Sequence, residues 1–172
     1  MSRLRFKLRF AGSEVTKWAA RYDAALDARV EEIGEQARRR GYLSHDDLRV
    51  LGHWKTPRSA PRIARNDPEF VRETTRVALG TASERLRIEA LTLLEGVEWP
   101  TASVILHFAH RDRYPILDYR ALWSLGVSPP PRYGFELWQA YVDFTRATAD
   151  RWGVSMRCLD RALWQFSKER QG

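Results

Sequence analysis

The chain has a single cysteine, Cys158, four lysines and no long apolar run. One thiol excludes a disulfide framework, a four-cysteine zinc site and a four-cysteine iron–sulfur cluster. It fits a reducing compartment, and a cytoplasmic, bacterial nucleoid-associated location is expected. No stretch reaches about 18 consecutive apolar residues, so no membrane contact through a spanning helix is expected. The N-terminus carries no apolar signal-peptide core, and no secretion signal is expected. Internal repeats and low-complexity tracts are absent.

Because lysine is scarce, the positive charge is almost wholly arginine: 25 Arg and four Lys outweigh 22 acids for a net charge of +7. An excess of this sign favours polyanions, with nucleic acid first and acidic lipid or protein second. Seven tryptophans and 44% apolar residues mark a globular chain. Its 172 residues suffice for one domain with a real core, or for a compact two-lobed one.

Residues 3–10 alternate strictly, with Leu4, Phe6, Leu8 and Phe10 on one face and Arg3, Arg5, Lys7 and Arg9 on the other. Period two predicts a strand. No partner strand is evident, so it pairs with its twin in a weak dimer, pairs with a short extended piece in a monomer, or frays; its basic face can also lie on DNA. Ser13 is placed to cap a long helix in which Val15, Trp18, Tyr22, Leu26, Val30, Ile33 and Ala37 repeat at helical spacing, and Gly41 stops it. Ser44-His45-Asp46-Asp47 reads as a capping box. Residues 55–68 hold three prolines with Lys55, Arg58, Arg62 and Arg65, which predicts an irregular basic loop able to track phosphates or simply to be solvated. Asp67-Pro68 opens a helix with Phe70, Val71, Thr74, Val77 and Ala78 inward. Thr81-Ala82-Ser83-Glu84 caps the next helix, and Ser155 marks the start of the last one. Pro129-Pro130-Pro131 makes a rigid link before the aromatic helix 134–151.

The chemistry concentrates in residues 84–126. Two apolar runs flank Glu95-Gly96-Val97-Glu98, which predicts a helix, a tight turn and a second helix. Gly96 supplies the permissive backbone, and Pro100 suits the first turn of the second helix. Such a hairpin presents N–H groups at a helix N-terminus, an anion site by geometry and dipole, and Thr101 can add a hydroxyl. An ordinary Gly-capped hairpin has the same pattern. Asp118 follows after a charged loop. Pro115-Ile116-Leu117-Asp118 before Tyr-Arg-Ala-Leu is also good N-cap context. His107 and His110 sit at i, i+3 with no third ligand in view, so no metal is expected.

Leu94-Glu95-Gly96-Val97-Glu98-Trp99-Pro100-Thr101-Ala102 resembles the Leu-Pro-Gly-Val-Gly-x-x-Thr-Ala hairpin of the helix-hairpin-helix DNA glycosylase superfamily. In that family a catalytic Asp follows about 18–20 residues beyond the position of Pro100; here Asp118 lies 18 residues on. The close resemblance covers about 45 residues. It implies one all-α domain over 1–172, with a two-lobed helix-hairpin-helix glycosylase-like fold and a short added N-terminal β-strand or arm at 1–12. It also implies double-stranded DNA as partner, excision of a damaged or modified base, and Asp118 as the catalytic residue. Gly96, Val97, Glu98, Trp99 and Thr101, with Arg58, Arg62, Arg111 and Arg113, are the expected DNA contacts. Trp99, Tyr119, Trp54 and His107, with Trp123, are candidate walls for a flipped base. No cofactor is expected, beyond a monovalent cation that can sit at the hairpin. Two departures shape the expectation. Glu98 stands where the family has its second glycine. Pro100 stands where bifunctional members carry a lysine, so no Schiff base forms and the enzyme would be monofunctional. A non-catalytic DNA-binding module and an enzyme acting on a non-DNA nucleoside are the alternatives.

Overall fold

The computed structural model describes residues 5–172. The fold is all-α. Among the described residues there are ten α-helices: α1 (Val15–Ala19), α2 (Ala28–Arg40), α3 (His45–Lys55), α4 (Ala60–Ile63), α5 (Pro68–Gly80), α6 (Glu84–Leu91), α7 (Trp99–Ala109), α8 (Tyr119–Ser124), α9 (Phe135–Trp152) and α10 (Met156–Arg170). Single 3-10 turns occupy Gly12–Glu14, Ala24–Asp27 and Pro57–Ser59. The chain divides into two compact units, residues 25–112 and residues 113–172 together with those up to 24. No helix is long and apolar enough to cross a membrane among the described residues.

In the unit 25–112, α2 and α3 both pack on α7, and α5 packs on α6. Val30, Ile33 and Ala37 of α2 and Leu48 and Leu51 of α3 turn inward, as their helical spacing requires. The crossing of α2 and α7 is close because of Gly34: a Cβ there would lie 2.3 Å from the Phe108 carbonyl oxygen. The helix starts follow local chemistry. Ser44 and Asp47 form the expected capping box, and Asp67 and Ser83 accept the N–H groups of Phe70 and Leu86.

In the other unit, α10 packs on α1, α8 and α9. Phe10, Trp18 and Phe166 meet as an aromatic cluster, with Trp18 edge-on to Phe166 at 5.0 Å. Tyr114 stacks on the buried Trp138. Ser155 caps α10 through the Cys158 N–H.

Several sequence expectations are corrected. Arg3 and Leu4 lie outside the described residues. Residues 5–10 form no strand. The alternation still sorts the side chains: Arg5, Lys7 and Arg9 are exposed, while Phe6 meets Tyr141 and Phe144. The backbone partner is the end of a helix, for Lys7 N–H donates to Leu125 O and Arg9 N–H to Ser124 O, both at 2.9 Å. Two alternate bonds to a helix terminus make no ladder. The long helix expected to end at residue 40 is two helices with a break between α1 and α2, and Glu14, not Ser13, is the N-cap residue of α1. The periodicity runs on because each piece has its own buried stripe, but the chain passes between compact units at the break. Leu26, expected inward, is 58% exposed there. Phe70 and Val77 are also exposed, which leaves Val71, Thr74, Thr75 and Ala78 as the buried face of α5. The proline-rich stretch is not irregular: Pro57 and Pro61 sit in the first turns of a 3-10 turn and of α4, where a missing N–H costs nothing.

Gly34→Ala is expected to lower stability by about 2 kcal/mol, because the added methyl meets backbone that cannot swing aside. Urea denaturation of the two proteins measures it; equal midpoints would show that the helices can separate freely.

Candidate functional site

The hairpin is built by residues far from it in sequence. After α6, the chain turns through Thr92–Glu98, with Val97 N–H donating to Leu94 O. Gly96 has φ +78°, a conformation that costs other residues energy. It also has no room for a side chain: a Cβ would lie 2.8 Å from Ile63 Cγ1 and 3.0 Å from the Ile63 backbone nitrogen. Asn66 locks the turn. Its Oδ1 accepts the Glu95 N–H at 2.8 Å, and its Nδ2 donates to Glu95 O and Ile63 O at 2.9 Å each. The buried amide thus replaces both bonds a neighbouring strand would make. Arg65 adds an ion pair to Glu95 at 3.0 Å.

The N-terminus of α7 is open. Glu98 is its N-cap residue but its side chain caps nothing, and the first helical bond is Ala102 N–H to Glu98 O. The N–H groups of Gly96, Glu98, Trp99 and Thr101 have no acceptor among the described residues. Those of the helix start carry the positive end of its dipole. Val97 contributes no such group, because its N–H is engaged and its side chain is core. The Thr101 side chain is likewise buried, which argues against the expected hydroxyl contact. Glu98 is exposed, and Trp99 is half-buried. Arg58 and Arg62 are exposed on the neighbouring turn and α4, and neither has a carboxylate partner among the described residues. Arg111 is exposed as well.

Trp54 and His107 come together on one ring, each edge-on to Phe108 at 5.4 and 4.8 Å. Trp54 Nε1 donates to Leu26 O, so its polar edge is engaged. His110 is buried and plays another part. Arg87, also buried, lies 2.6 Å from its Nε2, and the Asp112 N–H faces its Nδ1 at 2.9 Å. Burial first and the Arg87 charge second push the ring down to about 4 from its usual 6.5. Arg87 itself closes the end of α5 by donating to Ala78 O and Thr81 O. No group of three or more His, Cys, Asp or Glu is placed to hold a metal among the described residues.

Asp118 belongs to the other unit. It is half-buried at the N-cap of α8, and its Oδ1 accepts the Arg120 N–H at 2.8 Å. The segment that delivers it is anchored: residues 114–117 are buried, and Tyr141 donates its hydroxyl proton to Ile116 O at 2.9 Å. Burial and then the Asp118 charge raise the Tyr133 phenol, and Tyr141 is raised by burial and by Asp160, Asp118 and Tyr133. Both phenols therefore keep their protons. Tyr119 is 48% exposed beside it. The guanidinium of Arg120 turns from the carboxylate onto the rings of Tyr119 and Trp164. Arg113, expected to line DNA, pairs with Asp150 at 2.7 Å. Trp123 is covered by Arg9, 4.5 Å from its ring.

No protein-family model matches the chain, and neither a curated protein nor a solved structure matches it significantly. Sequence reasoning missed Asn66, Tyr133 and Tyr141. Asn66 had a visible signal, since an Asn before Asp-Pro is a turn former, but its partner 29 residues away was not visible.

Asn66→Ala is expected to leave the Glu95 N–H and C=O unpaired and to cost about 2 kcal/mol. Hydrogen exchange at residues 94–98 reads the loosening directly, and unchanged protection there would remove Asn66 from its locking role. His110 is neutral in the fold and protonates near pH 6.5 when unfolded, so its contribution is present above 6.5 and is lost as pH falls toward 4. The wild-type urea midpoint should fall between pH 6.5 and 5 more steeply than that of His110→Asn; parallel profiles would contradict the buried neutral ring.

Proposed function

We propose that the protein is a monofunctional DNA glycosylase of the helix-hairpin-helix type, with the two-lobed fold of that superfamily. It would hydrolyse the N-glycosidic bond of a damaged or modified base in double-stranded DNA. The observation that carries this reading is the hairpin: a Gly96 turn locked by Asn66, opening onto unpaired N–H groups at the start of α7. Arg62, on the element against that turn, adds positive charge. Such a surface suits a phosphodiester backbone, whose oxygens accept N–H groups and arginine alike.

Asp118 is the proposed catalytic residue. As the C1′–N bond breaks, its electron pair leaves with the base, which takes up a proton, and positive charge builds on the sugar. A fixed carboxylate stabilises that cation. Water then attacks C1′, and its proton passes to Asp118 or to solvent. Tyr119, exposed beside the carboxylate, offers a ring for an extruded base. Pro100 at the second position of α7 leaves no amine for a Schiff base, so strand cleavage is not part of the reaction. One observation favours the non-catalytic reading instead: the Asp118 carboxylate already has a structural task as the cap of α8.

Asn caps helices about as well as Asp, which makes Asp118→Asn an informative test. The variant should keep its fold and DNA binding but lose excision by roughly 100-fold or more, the scale of a single electrostatic group in an active site. Duplexes carrying single altered bases, assayed for abasic sites with and without alkali, provide the measurement. Wild-type product should be alkali-labile with no enzymatic nick. Undiminished excision by the variant would remove Asp118 from the chemistry, and a borohydride-trapped adduct would contradict the hydrolytic route.

A further inference from the structure

We propose that the unit carrying Asp118 presents a basic track along α8 that holds a DNA phosphodiester backbone. It is formed by Arg5, Lys7 and Arg9 at one end of the helix and by Arg120 and Lys168 at the other. The inference rests on the reading of DNA as the substrate and adds a second, separate contact surface to it.

The first end is an open cleft of about 720 Å³ lined by Arg5, Lys7, Leu8, Arg9, Leu125 and Gly126, with no carboxylate in its walls among the described residues. The arm that supplies the cations is fixed to the C-terminal end of α8 by the Lys7 and Arg9 N–H bonds. Arg9 is further immobilised, with its guanidinium 4.5 Å from the Trp123 ring centre and its Nε donating to Trp123 O at 2.5 Å. At the other end, the Arg120 guanidinium lies 5.9 Å and the Lys168 ammonium 5.0 Å from the centre of the Trp164 ring. Aromatic faces hold cations in place without neutralising them. None of the five has a carboxylate partner among the described residues. Cations that no carboxylate neutralises are suited to phosphate oxygens.

The dimensions suit a nucleic-acid strand. Six residues of α-helix span about 9 Å, and one strand of duplex presents a phosphate every 3.4 Å or so of axis, roughly two or three along α8. Asp118 caps the same helix, so a strand on this track passes the carboxylate. An anionic lipid surface would call for apolar side chains pointing outward between the cations. Here Phe6 and Phe10 turn onto other aromatic rings of their own unit, and of the apolar side chains on the arm only Leu8 lines the cleft among the described residues.

The test is the salt dependence of binding to a plain labelled duplex between about 50 and 200 mM salt. Arg5→Ala, Lys7→Ala and Lys168→Ala remove exposed side chains, singly and together. Each single variant should make the slope of log Kobs against log salt less steep by about 0.9 if its cation neutralises one phosphate, and the triple variant by two to three such steps, with unchanged helical circular dichroism. Should the triple variant not fold, the single variants decide. Slopes equal to that of the parent would overturn the track, as would a parent that does not bind duplex or that binds phosphatidylserine vesicles in preference to it at the same salt. Excision is read separately. Altered slopes with no excision of any base would leave the track standing and remove the glycosylase reading, and excision with unaltered slopes would do the reverse.

Discussion

Peptide groups at the ends of short helices must find partners, and much of this structure is organised by how they do so. An α-helix leaves several N–H groups at its start and several C=O groups at its finish unmet. With ten helices among the described residues, most of them under four turns, many such ends occur. Ser44, Asp67, Ser83 and Ser155 meet N–H groups at four starts. Arg87 closes the end of α5, and Arg38 donates to Phe108 O near the end of α7. The N-terminal arm closes α8 with its own backbone. The start of α7, like those of α1, α2, α4 and α9, has a capping residue that makes no side-chain capping bond.

Arginine therefore has two occupations in this molecule. Arg87 and Arg38 act inside the fold, where a planar fork of donors can reach carbonyls that lysine would meet one at a time. Many others sit in i, i+3 or i, i+4 pairs with glutamates on exposed helix faces, worth only a few tenths of a kcal/mol each. The arginines that remain without acids give the net charge of +7 its location. Composition alone reported the excess but not which residues express it.

The local signals proved readable because their physics is local. Capping residues act over three positions, so the starts of α3, α5, α6 and α10 and the Gly41 stop follow from the sequence. The hairpin was legible for the same reason: Gly96 and Pro100 each impose backbone geometry on themselves. What escaped was non-local. The break between α1 and α2 has no Gly or Pro to announce it and reflects the passage of the chain between units. The arm was correctly sorted into two faces, yet its partner is a helix end that no periodicity encodes. Of the residues around Asp118, Tyr133 and Tyr141 are brought in by the turn before α9 and by α9 itself, and the rise of their phenols depends on folding.

The amide of Asn66 has a consequence for how this turn can diversify. It grips only the main chain of Glu95, through N–H and C=O alike. The exposed side chains at 95 and 98 thus carry little of the duty of shaping the loop, beyond the ion pair of Glu95 with Arg65. They can be exchanged for basic, polar or aromatic ones while the peptide path stays put. Acidic residues at both positions are, in that sense, a choice of surface character laid over a fixed frame, and the same frame would tolerate a different choice.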